Sequence, residues 1–144
     1  MVEQVSVFLE NSTGRLAELT RALGEADIDM HALMVADTES FGVVRIICDT
    51  PQAARALLER LGFSVTLTSV LAVEVPDRPG GLASVLEALG RAGKNVEYAY
   101  CFVEPSGDAA VDVLKVDDPS AEDVLRAAGF TVLDADTIYA PDRA

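Results

Sequence analysis

The chain repeats itself. NSTGRLAELTRALGEAD, beginning at Asn11, lies over DRPGGLASVLEALGRAG, beginning at Asp77. Gly14 meets Gly80, Leu16 meets Leu82, Leu23 meets Leu89 and Gly24 meets Gly90, all at an offset of 66 residues. Farther on, Asp49-Thr50-Pro51 meets Asp117-Asp118-Pro119 at an offset of 68, and Gly62-Phe63 meets Gly129-Phe130 at 67. A register that drifts so little over so long a stretch predicts two copies of one structural unit, 1–69 and 70–144. Units of this size have marginal cores on their own. FSVTLTSVLAVEV runs from one into the other without a linker, which predicts rigidly joined halves.

Each copy reads in the same order. Val2–Leu9 alternates loosely, with Val5, Val7 and Leu9 on one face, as a strand does. Asn11 and Ser12 are N-cap types, and Leu16, Leu19, Leu23 and Ala26 then form one helical stripe. Ile28–Ala36 and the β-branched Phe41–Cys48 predict two strands. Thr50-Pro51 starts a second helix carrying Ala54, Leu57, Leu58 and Leu61, and Phe63–Leu67 follows as a strand. In the second copy, Leu71–Val75 is a strand and Asp77-Arg78-Pro79 offers a cap with proline at the first helical position. Val96–Val103 and Ala109–Val116 are strands around the turn Glu104-Pro105-Ser106-Gly107. Asp118-Pro119 opens a helix, Phe130–Leu133 is a strand, and Thr137–Ala140 reads as one short strand more.

The order β-α-β-β-α-β, twice, defines an α+β fold of two tandem ferredoxin-like units, each an antiparallel sheet with its helices on one face. The second strand is apolar on both sides, with Met30, Ala32 and Met34 on one and His31, Leu33 and Val35 on the other. Strands of that kind are buried on both faces, so the units are expected to pack through their sheets, against each other or a second chain.

Composition removes several functions. With 11 basic and 24 acidic residues the net charge is −13, and both halves are net negative. A basic face for a phosphate backbone or an anionic membrane is hard to build from this set, so neither nucleic acid nor membrane is an expected partner. The chain has no run of 18 apolar residues, and MVEQVSVFLENSTG lacks a basic n-region and cleavage site, so a cytoplasmic protein is expected. Cys48 and Cys101 sit in apolar runs without a CxxC pair and are expected to be buried thiols. His31 is the single histidine, which leaves no metal-ligand spacing and no Ser–His–Asp arrangement. No cofactor, metal or catalytic residue is expected.

The turn after the first strand carries the chemistry. It reads Glu10-Asn11-Ser12-Thr13-Gly14-Arg15-Leu16 in one copy and Pro76-Asp77-Arg78-Pro79-Gly80-Gly81-Leu82 in the other. Glycine lets a ligand approach the backbone, and first-turn N–H groups at the positive end of a helix suit a carboxylate. Asn11 and Asp77 put side-chain oxygens where an ammonium group could donate. Together these fit an α-amino acid, although the same residues also suit a plain capped helix start.

This turn, in this order of elements, resembles the ACT domain, a small regulatory module that binds amino acids, often between paired domains. Asp77-Arg78-Pro79-Gly80-Gly81-Leu82 is close to the family's D-R-P-G-x-L form, whereas the first copy has Ser12-Thr13 in place of Arg-Pro. The resemblance covers essentially the whole chain. It implies a free amino acid as ligand and a homodimer. Gly14 and Gly80 would approach the ligand, and the N–H groups of Arg15, Leu16, Gly81 and Leu82 would hold its carboxylate. Asn11 and Asp77 would hold its ammonium, and Met34 and Val35, or Tyr98 and Tyr100, would line a side-chain pocket from a neighbouring unit's second strand.

Three other functions share the architecture. An acylphosphatase-like enzyme would place a phosphate on Arg15 or Arg78, but no paired nucleophile and base accompanies them. An RNA-binding sheet would use Tyr98 and Tyr100, against the strong acidity. A structural or protein-interaction module would need no pocket, and it is the main alternative.

Overall fold

A computed structural model describes residues 1–37, 41–103 and 109–139. Among them are seven strands and five helices: β1 (Val2–Glu10), α1 (Arg15–Glu25), β2 (Met30–Asp37), β3 (Phe41–Cys48), α2 (Pro51–Arg60), β4 (Ser64–Pro76), α3 (Gly81–Arg91), β5 (Val96–Val103), β6 (Ala109–Val116), α4 (Ala121–Ala127), β7 (Thr131–Leu133) and α5 (Ala135–Tyr139). The expected turn at 104–107 lies outside the described residues.

The chain divides into two compact units. One comprises Glu3–Thr68 with the segment from Asp136; the other comprises Ser69–Ala135 with Met1–Val2. In the first unit the strand order is β2-β3-β1-β4. β1 and β3 pair antiparallel through Val5–Ile46, Val7–Val44 and Glu10–Phe41, and β2 joins β3 through Leu33–Ile46 and Val35–Val44. In the second unit β5, β6, β4 and β7 follow in the corresponding order, all antiparallel. The fourth strand of one copy and the first strand of the next, read separately as Phe63–Leu67 and Leu71–Val75, are one thirteen-residue strand.

Each unit has its own core on the helix-covered face. Val5, Val7, Leu19, Leu23, Val44, Ile46, Leu58 and Phe63 fill the first. Leu71, Val73, Val75, Val85, Leu89, Leu114, Leu125 and Val132 fill the second. α1 buries Leu19 and Leu23 of its expected stripe while Leu16 and Ala26 stay exposed, and α3 buries Val85, Ala88 and Leu89 while Leu82 and Leu86 stay exposed. Fully burying one leucine side chain contributes about 1.5–3 kcal/mol.

The structure corrects four expectations. The second strand is not buried on both faces within this chain: β2 is the edge of its sheet, and Leu33 and Val35 are exposed. Of the two cysteines only Cys48 is buried; Cys101, on edge strand β5, is exposed. Of the expected strand Thr137–Ala140, Ala140 lies outside the described residues, and residues 137–139 instead end helix α5. There the Tyr139 hydroxyl accepts from the Glu3 N–H at 2.6 Å and so docks the helix on the start of β1. Finally, Asp118-Pro119 precedes α4 rather than opening it. Asp118 accepts from the Ser120 N–H at 2.9 Å, and the helix starts at Ala121.

Candidate functional site

The two turns adopt one geometry. In the first unit the Ser12 N–H donates to the Glu10 carbonyl at 2.9 Å, Arg15 to Ser12 at 3.3 Å and Glu18 to Gly14 at 2.9 Å. In the second, Arg78 donates to Pro76 at 2.9 Å, Gly81 to Arg78 at 3.1 Å and Ser84 to Gly80 at 3.1 Å. Gly14 (φ 89°, ψ −11°) and Gly80 (φ 86°, ψ −6°) stand at the N-caps in the left-handed conformation that glycine adopts without a Cβ penalty.

This geometry corrects the sequence reading of the caps. Asn11, Ser12 and Asp77 do not cap the helices, because neither helix start has a side-chain cap hydrogen bond. Backbone bonds close the turn instead, and the helix begins later, so Pro79 lies two residues before Gly81 rather than at the first helical position. The N–H groups of Arg15 and Gly81 are spent on Ser12 and Arg78, so neither is free for a carboxylate. By position, the donors left to each helix are those of Leu16 and Ala17, and of Leu82 and Ala83. Asn11, Ser12, Thr13 and Gly14 are exposed around one turn; Asp77, Arg78, Pro79 and Gly80 are exposed around the other. Gly81 is buried for a local reason: a Cβ there would lie 2.3 Å from the Pro76 carbonyl oxygen.

The strand residues separate by face. Val35 pairs with Val44 on the helix-covered side. Met34 lies on the opposite face beside Arg45, whose Nη1 sits 3.9 Å from its sulfur. Tyr98 and Tyr100 pair with Lys115 and Val113, also on the helix-free face. Met34, Tyr98 and Tyr100 thus lie across the sheet from the helices that the turns begin, and Val35 lies on the helices' side.

Two groupings escaped the sequence reading. In the second unit, Cys101 and Asp112 pair across β5 and β6 on the helix-covered face. Asp112 is 4% exposed, and the Cys101 thiol donates to its carboxylate. Burial pushes the Asp112 carboxyl above the ordinary carboxylate value, and the thiol bond draws it part of the way back. The Cys101 thiol is raised by burial, then by Asp112, and also by the charge of Asp77, which places this pair near the turn. The available signal was a lone acid in the apolar run AAVDVLKV.

In the first unit, Phe8, Glu10, Arg15, Phe41, Gly62, Phe63 and Ser64 line a cleft of about 440 Å³. The Arg15 guanidinium lies over the Phe63 ring, 4.8 Å from its centroid, and Nη1 bonds Glu18 at 2.8 Å. Its Nε is buried and has no partner. No group of three or more metal-ligating side chains occurs among the described residues. No helix among them is long and apolar enough to cross a membrane.

The duplicated β-α-β-β-α-β units with their glycine turns define a class, and comparison with known proteins supplies the family. The model of the ACT domain pair matches residues 1–136. The chain belongs to the ACT domain pair family. Among solved structures it is similar to protein BT0572 from Bacteroides thetaiotaomicron, with 34% identity over 96% of this chain and 95% of that one, at a TM-score of 0.90. The ligand-free regulatory subunit of aspartate kinase from Thermus thermophilus shares the fold at 20% identity and TM-score 0.68, over 88% of this chain and 90% of that one. Aspartate kinase from Synechocystis shares it at 17% identity and TM-score 0.64, over 99% of this chain and 26% of that one. A comparison with curated protein sequences gave no match.

Proposed function

We propose that this chain is a non-catalytic regulatory module that binds a free amino acid at the turns between β1 and α1 and between β4 and α3. The two duplicated units, 1–69 and 70–144, each supply one turn. The observation that carries this reading is the repeated turn itself. Both copies hold a glycine at φ near 90° and leave a helix start with no side-chain cap, beside exposed Asn11 in one and Asp77 in the other. An uncapped helix start is an anion site by its N–H groups and its dipole. The Thermus thermophilus protein of the same fold is a regulatory subunit, which agrees with a module of this size acting on another protein.

A homodimer in the cytoplasm completes the proposal. Edge strand β2 presents Leu33 and Val35, an apolar edge of the kind that pairs with another chain. Ligand would change the signal only through unequal affinity for two arrangements of the assembly.

Thermal denaturation with each of the twenty amino acids tests the binding. One or a few are expected to raise Tm, by about 2.7 kcal/mol of stabilisation at a hundredfold excess over Kd. Asp77→Ala and Gly80→Val are expected to reduce that shift. No shift with any amino acid, on folded protein, would reject the proposal.

A further inference from the structure

The cleft at the end of the first sheet has a composition that the fold does not require. Phe8 and Phe41 are 54% and 55% exposed. They are diagonal neighbours on one face, since Phe8 pairs with Val43 and Phe41 with Glu10. Large aromatic side chains at that spacing can reach a common object between them. Glu10 directly opposes Phe41. Arg15 also lines the cleft; its guanidinium lies over the Phe63 ring and bonds the Glu18 carboxylate, and its Nε is buried without a partner. A guanidinium held in one place by two neighbours suits a carboxylate.

The second unit is an internal control. At the matching positions it has Glu74 for Phe8, Pro76 for Glu10, Gly81 for Arg15 and Ala109 for Phe41, while Phe130 stands for Phe63. The same turn and the same strand order form without the aromatic pair, the cation or the acid. Folding therefore does not explain why the first unit exposes them together.

We infer that the first unit's cleft is the specificity pocket of the proposed amino-acid site, and that its ligand is an α-amino acid with a bulky apolar side chain. The Arg15 guanidinium joins the helix-start N–H groups in taking the carboxylate, Glu10 joins Asn11 in taking the ammonium, and Phe8 and Phe41 take the side chain. The cleft volume of about 440 Å³ falls in the range of small-molecule pockets. Its aromatic walls, the Glu10 carboxylate and the Glu18-bonded Arg15 guanidinium complement a zwitterion with one apolar arm. The inference rests on the amino-acid reading above and adds the ligand class, with one such site per chain.

Titration calorimetry on the full chain tests it with L-phenylalanine, L-leucine, glycine, 3-phenylpropanoate and phenethylamine. Binding of phenylalanine or leucine at one per chain is expected, with glycine silent. Loss of the amine or of the carboxylate should weaken binding about tenfold or more, as should Arg15→Gln through a lost charged hydrogen bond and Phe41→Ser through lost apolar contact. Phe41 is exposed, and Phe8→Ser serves as an independent exposed variant. Bulky amino acids binding with unchanged affinity to all three variants would overturn the cleft and leave the amino-acid reading standing. No binding of any amino acid would overturn both. A change in sedimenting mass in Phe8→Ser or Phe41→Ser without a ligand effect would assign the patch to contact between copies and overturn the inference.

Discussion

Asp27 occupies a position that its sister unit gives to glycine. It has φ 58°, and Gly93, 66 residues on, has φ 72°. Both residues end a helix the same way: Asp27 N–H donates to Gly24 and Gly93 N–H to Gly90, at 3.1 and 3.0 Å. A side chain in the left-handed region costs about 1–2 kcal/mol, and a carboxylate at a helix C-terminus opposes the dipole. Asp27→Gly is expected to stabilise the protein by about 1 kcal/mol in denaturant unfolding, after glycine's greater unfolded-state freedom is deducted. Asp112 is a second exchange of this kind, because Val44 holds the matching register in the first unit. The folded carboxyl of Asp112 is raised above its unfolded value of about 4, so its contribution to stability is intact below that pH and is lost as pH rises toward the folded value. Asp118 has the opposite sign. Its bonds to Lys94 and to Ser120 hold it near 2, so its contribution stands above pH of about 4 and is lost as pH falls to about 2. Asp112→Val is expected to raise Tm at pH 7 and to leave the loss below pH 4 unchanged, as read by thermal scans across pH.

At the scale of elements, the start of α3 is set by contact with β4. Gly81 leaves 2.3 Å between a Cβ and the Pro76 carbonyl oxygen, and backbone on both sides resists a shift. Gly81→Ala should destabilise the chain by about 1–3 kcal/mol. Gly90→Ala, in the same helix with open space around it, should stabilise it by about 0.5–1 kcal/mol. Equal effects of the two substitutions in equilibrium unfolding would contradict this placement of the helix. The strands Phe41–Cys48, Val96–Val103 and Ala109–Val116 were legible to the residue, because β-branched and alternating runs between turns leave one reading. The helix starts were not. Asn11 and Asp77 have cap chemistry, but backbone bonds within the turn decided where α1 and α3 begin. The end of the chain was misread because Thr137–Tyr139 is short and apolar, and a single contact, Tyr139 with Glu3, determined its form.

For the whole molecule, duplication was the legible fact, and it carried the fold, the two cores and both turns. What it concealed are the places where the copies differ. Phe8, Phe41 and Phe63 come from three separate segments, and only the register of β1 with β3 and the corner before β4 bring them to one cleft. The edge position of β2 was equally hidden, since an apolar strand reads alike whether the chain or a partner covers it. The central claim is that the turns bind an amino acid, and amide resonances report it most directly. In a titration of the full chain with amino acids, followed by proton–nitrogen correlation spectra, the largest saturable shifts are predicted at residues 8–17 with Phe41 and Phe63 of the adjoining cleft, at 77–83, or at both. If no amino acid moves those amides, or if the saturable shifts lie elsewhere in the fold, the account is contradicted.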